Sequence, residues 1–344
     1  MKKSLGLSMD LQKRFSREFK LFENKLVKIP GSWGHIDEIC KAIYIFRRLK
    51  KCSINQRVNI EVLLFISSNG VIDAGVSNYN SVTEEKVYQL IDNGQAPINY
   101  FSSIIDCSPK VIDVGVNSNM TWKNIDSKKI RKGTRNITIE DAMTTSEFLD
   151  TIDVGRACAK KYINEQTDIV CLGEMGLGNT TTSSVIIAIL LGLTAEQVCG
   201  SGTGISENKL KLKKNILQKL IDNYKKLPGY TFSNKEINNI LRKFGGFEIV
   251  AEVAFILETV KSQCLILIDG YITSVAAYIA YLLDSEVGNF LVFASYSVEP
   301  GHKYILEAMN RRAILDVGLC MGQCTGSLFL ANMLRPALNF YFAS

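Results

Sequence analysis

Short runs of apolar, often β-branched residues recur along the chain beyond about residue 58, and helical patterns separate them. Successive positions in each run are apolar, so both faces of each predicted strand are expected to be buried. Such strands, alternating with helices, are typical of a parallel sheet between two helix layers. The pattern predicts an α/β fold, doubly wound around a mainly parallel sheet, with strands at 62–66, 111–116, 169–172, 264–268 and 290–293. In such sheets, ligands bind at the carboxyl ends of the strands.

The first 57 residues have a helical pattern instead, which the turn at Pro30, Gly31 and Ser32 interrupts. They hold 14 Lys and Arg against 5 Asp and Glu, and their net charge of +9 exceeds the +6 of the whole chain. A basic region can bind nucleic acid or anionic lipid, but no zinc finger, helix-turn-helix or aromatic-interleaved basic motif accompanies this one. We therefore expect a solvated helical surface, with no nucleic-acid and no membrane partner.

The composition is that of a folded, water-soluble protein, since 47% of the 344 residues are hydrophobic and 22% are charged. The longest apolar run, 185–193, is far shorter than the roughly 18–20 residues that span a bilayer. The N-terminus has lysines but lacks the apolar segment of a secretory signal. These features predict a cytoplasmic protein.

Nine cysteines are scattered without a CxxC pair, and the chain has only two histidines, His35 and His302. Cys320 and Cys324 are four residues apart, but no second pair of metal-binding residues accompanies them. Structural zinc sites need about four such ligands in a characteristic spacing. We therefore expect reduced thiols and no metal.

A glycine-rich loop, GEMGLGNTTT at 173–182, follows the predicted strand at 169–172 and precedes an apolar helix. Strand, glycine loop and a helix that starts with Asn and Thr form a phosphate-binding construction, because backbone N–H groups and the positive helix end face the anion. The loop is neither a Walker A loop nor GxGxxG, and alone it could be a plain tight turn with an Asn/Thr cap. A second glycine loop, GSGTG at 200–204, opens a basic helix that contains Lys213, and together the loops favour an anionic ligand.

With other short motifs in the same order, these loops closely resemble the signature of the nicotinate-nucleotide:dimethylbenzimidazole phosphoribosyltransferase family. The resemblance covers nearly the whole chain. Members of that family displace nicotinate from nicotinate mononucleotide with an aromatic base, which becomes the lower ligand of a cobamide. The matching segments are PGSWG at 30–34, NGV at 69–71, GVS at 75–77, RKGT at 131–134, AMT at 142–144, GEMGLGNTT at 173–181, GSGTG at 200–204, DGYITS at 269–274 and SVEPGH at 297–302.

The resemblance implies a phosphoribosyl site and a base pocket. The residues that it implies around the phosphoribosyl group are Gly176, Gly178, Asn179, Thr180, Gly202, Thr203, Gly204, Lys213 and Ser297. It also implies that Ser68, Asn69 and Ser77 border the base, and Glu174 matches a glutamate of the family's active site. No metal and no other cofactor is implied, because the reaction is a displacement at an anomeric carbon.

Three departures from the family pattern bear on the chemistry. The family's catalytic glutamate lies in a GEGTG or GEGSG element near the C-terminus, and here the matching stretch at 322–326 reads GQCTG, with Gln323 at that position. An amide cannot take a proton from a nucleophile, and loss of a positioned base typically costs about 10²–10⁴-fold in rate. Ser68 and Asn69 stand where the family commonly has Asp and His, and His35 stands where Arg is usual. The pattern indicates a retained anion site with lost or altered base chemistry.

Three functions fit this pattern. In the first, the chain is the non-catalytic or weakly active partner in a two-chain branch of the family that uses phenol or p-cresol, and a homologous chain does the chemistry. In the second, the chain is a self-sufficient transferase for a benzimidazole or phenolic base, with Glu174 as a helper. In the third, it is a nucleotide-binding regulatory protein. The first two have nicotinate mononucleotide and an aromatic base as substrates.

The family also implies how the two ends of the chain are arranged. Residues 58–325 are predicted to form the α/β domain, and 1–57 join 326–344 in a second, smaller helical domain. Family members are dimers with sites near the subunit interface, so we expect a homodimer, or a heterodimer with a homologous partner subunit under the first function.

Four other residues stand out in the sequence. A structural role is favoured for His302 over that of a catalytic base, and Trp33 and Trp122 are predicted to pack in the core instead of stacking on a base. Asp269, at the end of an apolar strand, either contacts a ligand or caps the next helix, and the sequence leaves both interpretations open.

Overall fold

The computed structural model describes residues 16–26, 34–53, 57–79, 81–202, 204–224 and 230–343, so the predicted turn at 30–32 and Trp33 lie outside the described residues. The strands of the central sheet are β1 Ile60–Ser67, β2 Lys110–Gly115, β3 Ile125–Ser127, β4 Ile169–Met175, β5 Leu265–Ile268 and β6 Leu291–Phe293. Their order is β3-β2-β1-β4-β5-β6, and every neighbouring pair is parallel. The predicted α/β fold with a parallel sheet is confirmed.

A second, two-stranded parallel sheet and a set of helices complete the fold. The small sheet consists of β7 Ser295–Ser297 and β8 Leu315–Leu319. The helices are α1 Ser16–Leu26, α2 His35–Leu49, α3 Ser81–Asp92, α4 Pro97–Ile104, α5 Thr145–Tyr162, α6 Asn179–Leu191, α7 Ala195–Val198, α8 Glu207–Asp222, α9 Asn234–Phe244, α10 Phe247–Thr259, α11 Tyr271–Leu283, α12 Gly301–Ala308 and α13 Thr325–Ala343. Of the helices in the described ranges, none has both the length and the apolar character needed to cross a membrane.

Alternate residues of each central strand face opposite layers of helices. Leu63 and Phe65 of β1 belong to the apolar cluster that α5, α6, α10 and α11 build, whereas Val62, Leu64 and Ile66 belong to a second cluster. Helices α2, α4 and α13 contribute to this second cluster. Because β1, β4, β5 and β6 are buried on both faces, their sequences are largely continuous apolar runs, whereas the edge strand β3 is partly exposed.

The first and last described helices lie on the same side of the sheet. Phe22 of α1 packs its ring against Tyr44 of α2 and Tyr341 of α13, at centroid distances of 5.3 and 5.5 Å. Helices α2 and α13 share their apolar cluster with residues of β1 and β4. The division into an α/β domain at 58–325 and a helical domain of 1–57 plus 326–344 stays a prediction.

A buried ion pair attaches α2 to the sheet. Arg47 Nη2 lies 2.7 Å from Asp168 Oδ2, and Arg47 Nε donates to Asp168 Oδ1 at 2.8 Å. Asp168 directly precedes β4, and both side chains are almost completely buried. The pair therefore joins the N-terminal helices to the amino end of a central strand.

The strand order reverses between β1 and β4, which are neighbours in the middle of the sheet. Loops that leave the carboxyl ends of such strands diverge, and a crevice opens between them. The segment between β8 and α13 reaches the same edge, because the Gln323 N–H donates to the Glu174 carbonyl at 3.1 Å. The fold thus brings the loop after β4 and the loop before α13 to one place.

Candidate functional site

A cleft at the carboxyl ends of β4 and β5 encloses about 700 Å³, part of it open to solvent. The loops after β4, β5 and β7 and the segment between β8 and α13 form its walls. Its apolar lining comes from Met175, Ile272, Val298, Leu319 and Met321. Its polar lining includes Glu174, Asn179, Thr180, Ser297 and Glu299. Such a cleft can hold a ligand that has an anionic end and an apolar end.

The loop between β4 and α6 directs a helix N-terminus toward the cleft. Gly176 passes so close to Ser67 that a Cβ atom would collide with the Ser67 carbonyl oxygen, so only glycine fits. Gly178, directly before α6, has a φ of +82°, which favours glycine. The N–H groups of Asn179 and Thr180, the first two of α6, have no carbonyl partner within the helix, whereas those of Thr181 and Thr182 donate to the Gly178 carbonyl. The positive end of α6 therefore lies at the cleft.

Lys213 supplies a buried positive charge beside this helix start. It is 1% exposed, and its Nζ donates to Thr180 Oγ1 at 3.0 Å and to the Gly200 carbonyl at 3.1 Å. An ammonium group has three donors, so these two bonds leave one for a ligand. Lys213 lines a small pocket next to the cleft together with Gly178, Thr180 and Ser77. The charge, the free donors and the helix end can bind a phosphate group.

The second glycine loop holds a carboxylate of the protein itself. The Gly202 N–H donates to Glu299 Oε1 at 2.7 Å, and both residues line the cleft. Gly204 has a φ of +97°, and its carbonyl accepts from Asn78 Nδ2 at 2.8 Å, which joins this loop to the segment after β1. Thr203 lies outside the described residues. Three residues of the predicted phosphoribosyl site, Gly202, Thr180 and Lys213, are thus close together.

Ser297 and His302 form a hydrogen-bonded unit at the edge of the cleft. The Ser297 N–H donates to His302 Nδ1 at 3.0 Å, so the proton of the neutral ring lies on Nε2, which is 3.0 Å from Ser274 Oγ. Burial lowers the pKa of His302 to about 4. His302 is therefore neutral at pH 7, and its contacts position Ser297.

Trp122 packs its ring edge-on against Tyr88.

Glu174, at the end of β4, is a buried carboxyl group whose surroundings favour its protonated form. It is 5% exposed, lines the cleft and accepts a hydrogen bond from Asn179 Nδ2. Burial, and then the neighbouring carboxyl groups of Glu248 and Asp269, raise the pKa of Glu174 well above its ordinary value. A carboxyl group in this state donates a hydrogen bond more readily than it removes a proton.

Gln323 lies in a strained loop next to Glu174. Gln323 and Cys324 have φ angles of +61° and +58°, a conformation that side chains other than glycine seldom adopt. The Cys324 thiol is buried and donates to the Leu63 carbonyl at 3.1 Å, which holds the loop against β1. Gln323 Oε1 is buried without a hydrogen-bond partner among the described residues. Its neighbours Met321 and Gly322 line the cleft.

Asp269, at the end of β5, holds the start of the helix that follows Gln323. Its Oδ1 accepts from the N–H groups of Gly326 and Ser327 at 2.6 and 3.1 Å. Burial raises the pKa of Asp269 to about 7. Asp269 therefore caps a helix, which is one of the two interpretations that the sequence left open. The capped helix is the distant α13, whereas the sequence interpretation concerned α11, the next helix in the chain.

Ser68 and Asn69 lie in a neighbouring cleft at the carboxyl ends of β1 and β2, which Arg131 also lines. Ser68 Oγ donates to Glu84 Oε2 at 2.5 Å, and Asn69 Nδ2 donates to Glu248 Oε1 at 3.0 Å. Both side chains are buried. Their predicted place in a base pocket, like that of Ser77, stays a prediction.

The buried glutamates of α10 were not found from the sequence. Glu248 and Glu252 are fully buried, and burial raises the pKa of Glu248 to about 7 and that of Glu252 well above its ordinary value. The signal was available, since positions 249–256 are apolar around the whole helix apart from Glu252. Within the described ranges, no group of three or more His, Cys, Asp or Glu is arranged to hold a metal ion.

A parallel sheet whose central crevice combines a helix N-terminus, two glycine loops and a buried lysine is the arrangement of an α/β enzyme that binds a phosphorylated small molecule. Comparison with known families makes this class more specific, because the family described as "Phosphoribosyltransferase" matches residues 9–343. The chain belongs to this family of pentosyltransferases, as its motifs predicted.

Individual relatives are similar over nearly their whole length. A nicotinate-nucleotide–dimethylbenzimidazole phosphoribosyltransferase of Acetivibrio thermocellus is 31% identical over 322 residues, which cover 92% of this chain and 88% of the relative. The enzyme of that name from Vibrio cholerae serotype O1 is 28% identical over 335 residues, 96% of each chain. The crystal structure of such an enzyme from Thermus thermophilus superposes with a TM-score of 0.82, at 27% identity, over 94% of this chain and 95% of that one.

Proposed function

We propose that this chain takes part in the transfer of the 5-phosphoribosyl group from nicotinate mononucleotide to an aromatic base that becomes the lower ligand of a cobamide. The observation that carries the proposal is one cleft with a phosphate-binding end and an apolar wall. The names of the relatives supply the nucleotide and the class of acceptor.

In this proposal, the phosphate binds at the start of α6, next to Thr180 and Lys213, where a helix end and a buried ammonium favour an anion. The aromatic base lies against the apolar wall, on Met175 and Met321, whose flexible side chains adapt to flat rings. The ribose lies between them, near Ser297. Family resemblance assigns Ser68, Asn69 and Ser77 to the surroundings of the base, but Ser68 and Asn69 line the neighbouring cleft and Ser77 lines the pocket of Lys213.

The reaction breaks the bond from C1′ of the ribose to the nicotinate nitrogen, and its electron pair stays on that nitrogen. A nitrogen or oxygen of the acceptor forms the new bond to C1′ and gives up a proton. A phenolic oxygen has a pKa of about 10 by analogy with tyrosine, so it needs a base to become a good nucleophile at neutral pH.

The position of the family's catalytic glutamate holds no base in this chain, which supports the finer proposal that it works with a homologous partner. Gln323 cannot accept a proton, and burial raises the pKa of Glu174 well above its ordinary value, which favours its protonated form. We infer a heterodimer for phenol or p-cresol in which this chain is the non-catalytic or weakly active subunit.

Nicotinate release tests this proposal. The chain is purified alone and together with its homologous partner, and nicotinate is quantified by chromatography with dimethylbenzimidazole, phenol or p-cresol as acceptor. We expect turnover with the pair that is at least about 10²-fold faster than with the single chain. Full activity of the isolated chain would contradict the two-chain proposal while supporting phosphoribosyl transfer.

The alternative is a self-sufficient transferase, which the presence of Glu174 in the cleft favours. Substitution of Gln323 by Glu separates the two. If the missing base limits the rate, Q323E is expected to raise nicotinate release by up to about 10²–10⁴-fold. An active wild-type chain whose rate Q323E leaves unchanged would assign the proton transfer to another group. Nucleotide binding without turnover in either preparation would indicate a regulatory protein.

A further inference from the structure

Glu299 presents a buried carboxylate oxygen without a hydrogen-bond donor in the wall of the cleft. The residue is 6% exposed, and its Oε1 accepts from the Gly202 N–H at 2.7 Å. Its Oε2 is buried and has no partner among the described residues. Gly200 permits this close approach, since a Cβ atom there would lie 2.5 Å from Oε2.

The Gly202 N–H holds the carboxylate, and two backbone contacts hold the residue that carries it. The Glu299 N–H donates to Ser297 Oγ at 3.3 Å, and the Glu299 carbonyl accepts from the His302 N–H at 3.1 Å. Both contacts lie where β7 leads into α12. The carboxylate is therefore a fixed acceptor and not a mobile surface group.

Because of this carboxylate, the two glycine loops have different roles. It already occupies the Gly202 N–H of the second loop, and its charge repels a second anion. A phosphate is therefore directed to the first loop, where Lys213 and Thr180 supply positive charge and donors. A substrate group that lies against Glu299 must donate a hydrogen bond, because a buried acceptor without a donor costs free energy.

Nicotinate mononucleotide has very few donors. At pH 8 its phosphate is a dianion, its pyridine carboxyl group is ionised and its ring nitrogen carries no proton, so its donors are the two ribose hydroxyls. Building on the proposed function, we propose that Glu299 Oε2 accepts a hydrogen bond from a ribose hydroxyl of the nucleotide. Glu299 is then the residue that distinguishes ribose from deoxyribose in this cleft.

Binding of deoxy analogues to the full chain tests this role without any need for turnover. Nicotinate mononucleotide and its 2′-deoxy and 3′-deoxy forms are titrated at pH 8 by calorimetry, in the absence of acceptor base. Loss of a hydrogen bond to a charged group is expected to weaken one of the two deoxy forms by about tenfold to a hundredfold.

The variant E299Q isolates the carboxylate. Its amide oxygen can keep the bond from Gly202, while its NH2 group replaces the free oxygen and accepts no hydrogen bond. Because this NH2 group can still donate to a ribose hydroxyl, E299Q is expected to discriminate less strongly among the three nucleotides, since a neutral hydrogen bond is weaker than one to a carboxylate, and to bind inorganic phosphate at least as well as the wild type. The matched control is E307Q, which removes the same charge from an exposed position of α12 and should keep the discrimination. If E299Q does not fold, E299D, which withdraws the oxygens, should also weaken the discrimination.

The outcomes separate this inference from the proposed function. Equal binding of all three nucleotides by the wild type would overturn the role of Glu299, and so would discrimination in E299Q that is as large as in the wild type. Discrimination without nicotinate release under any condition would leave Glu299 as the ribose acceptor and contradict only the transfer reaction. Absence of binding for every nucleotide and for inorganic phosphate would contradict both.

Discussion

Single side chains determine what this cleft can bind and which chemistry it can support. Lys213 supplies a buried charge, burial raises the pKa of Glu174 well above its ordinary value, and Gln323 cannot take a proton. The glycine loops and Lys213 could be predicted because short contiguous motifs carry them. Glu299 and Glu248 could not, because their roles depend on where α12 and α10 pack against distant segments.

The charge of Lys213 is predicted to supply much of the affinity for the phosphate. Its ammonium group, buried next to Thr180, is expected to make a charge-assisted hydrogen bond to the anion. K213M should therefore bind nicotinate mononucleotide and inorganic phosphate about tenfold to a hundredfold more weakly by calorimetry. The control is K214M on the same helix, since Lys214 pairs with Glu196 on the surface. Equal effects of the two variants would remove Lys213 from the phosphate site.

Burial of Glu248 predicts a decrease in stability as the pH rises. Its pKa is about 7 in the folded chain against an ordinary 4.5, so the folded state retains a proton that the unfolded state has lost. The stabilising contribution of protonated Glu248 is complete below pH 4.5 and is lost as the pH rises through 7. E248Q, which is neutral throughout, should remove up to about 3 kcal/mol of this decrease.

Urea unfolding at pH 5, 6.5 and 8 measures this effect. The wild type should become less stable across the series, and E248Q should show a smaller decrease. The variant E165Q, at an exposed position, should follow the wild type. Parallel profiles of wild type and E248Q would show that Glu248 does not titrate in this range.

At the scale of elements, the apolar runs predicted the main strands closely. The run at 62–66 lies within β1, and those at 169–172 and 264–268 overlap β4 and β5. Strands β3, β7 and β8 were not predicted, because their sequences IDS, SYS and LDVGL contain no run of successive apolar residues. The site is built from residues at the ends of strands and helices, and glycine occupies several of these positions.

Gly176 is predicted to be indispensable for the loop that starts α6. An alanine Cβ would collide with the Ser67 backbone carbonyl, which cannot move without disturbing β1. G176A should lower the free energy of unfolding by about 1–3 kcal/mol and weaken nucleotide binding at least about tenfold. G192A is the control, because Gly192 has a φ of +67° but no atom within 4 Å of the added Cβ. Normal nucleotide binding by G176A would contradict the prediction.

At the scale of the whole molecule, the two ends of the chain are joined through the sheet. Helices α2 and α13 pack in one apolar cluster on a single face, and Arg47 attaches α2 to the amino end of β4 through Asp168. The site lies at the opposite, carboxyl end of the same strand. Family resemblance implied that the two ends of the chain lie together. The ion pair that attaches α2 to the sheet could not be predicted from the sequence, because Arg47 and Asp168 are 121 positions apart.

The pair of Arg47 and Asp168 is predicted to stabilise the fold far more than an exposed pair. Breaking it leaves a buried charge without its partner, so R47M should cost about 3–5 kcal/mol in urea unfolding. The control is R57M, because Arg57 and Asp106 form an ion pair with both side chains more than half exposed, and less than about 1 kcal/mol is expected. Similar small losses in both variants would contradict the anchoring role.

The position of α13 has a consequence for synthesis of the protein. Every strand of the central sheet and both glycine loops precede residue 300, whereas the loop with Gln323 and the helix after it come last. Asp269 and the carbonyl of Leu63 hold that loop once it arrives. A chain still on the ribosome can thus assemble the phosphate-binding half of its cleft before the half that contains position 323 exists, because folding proceeds from the N-terminal side as the chain emerges.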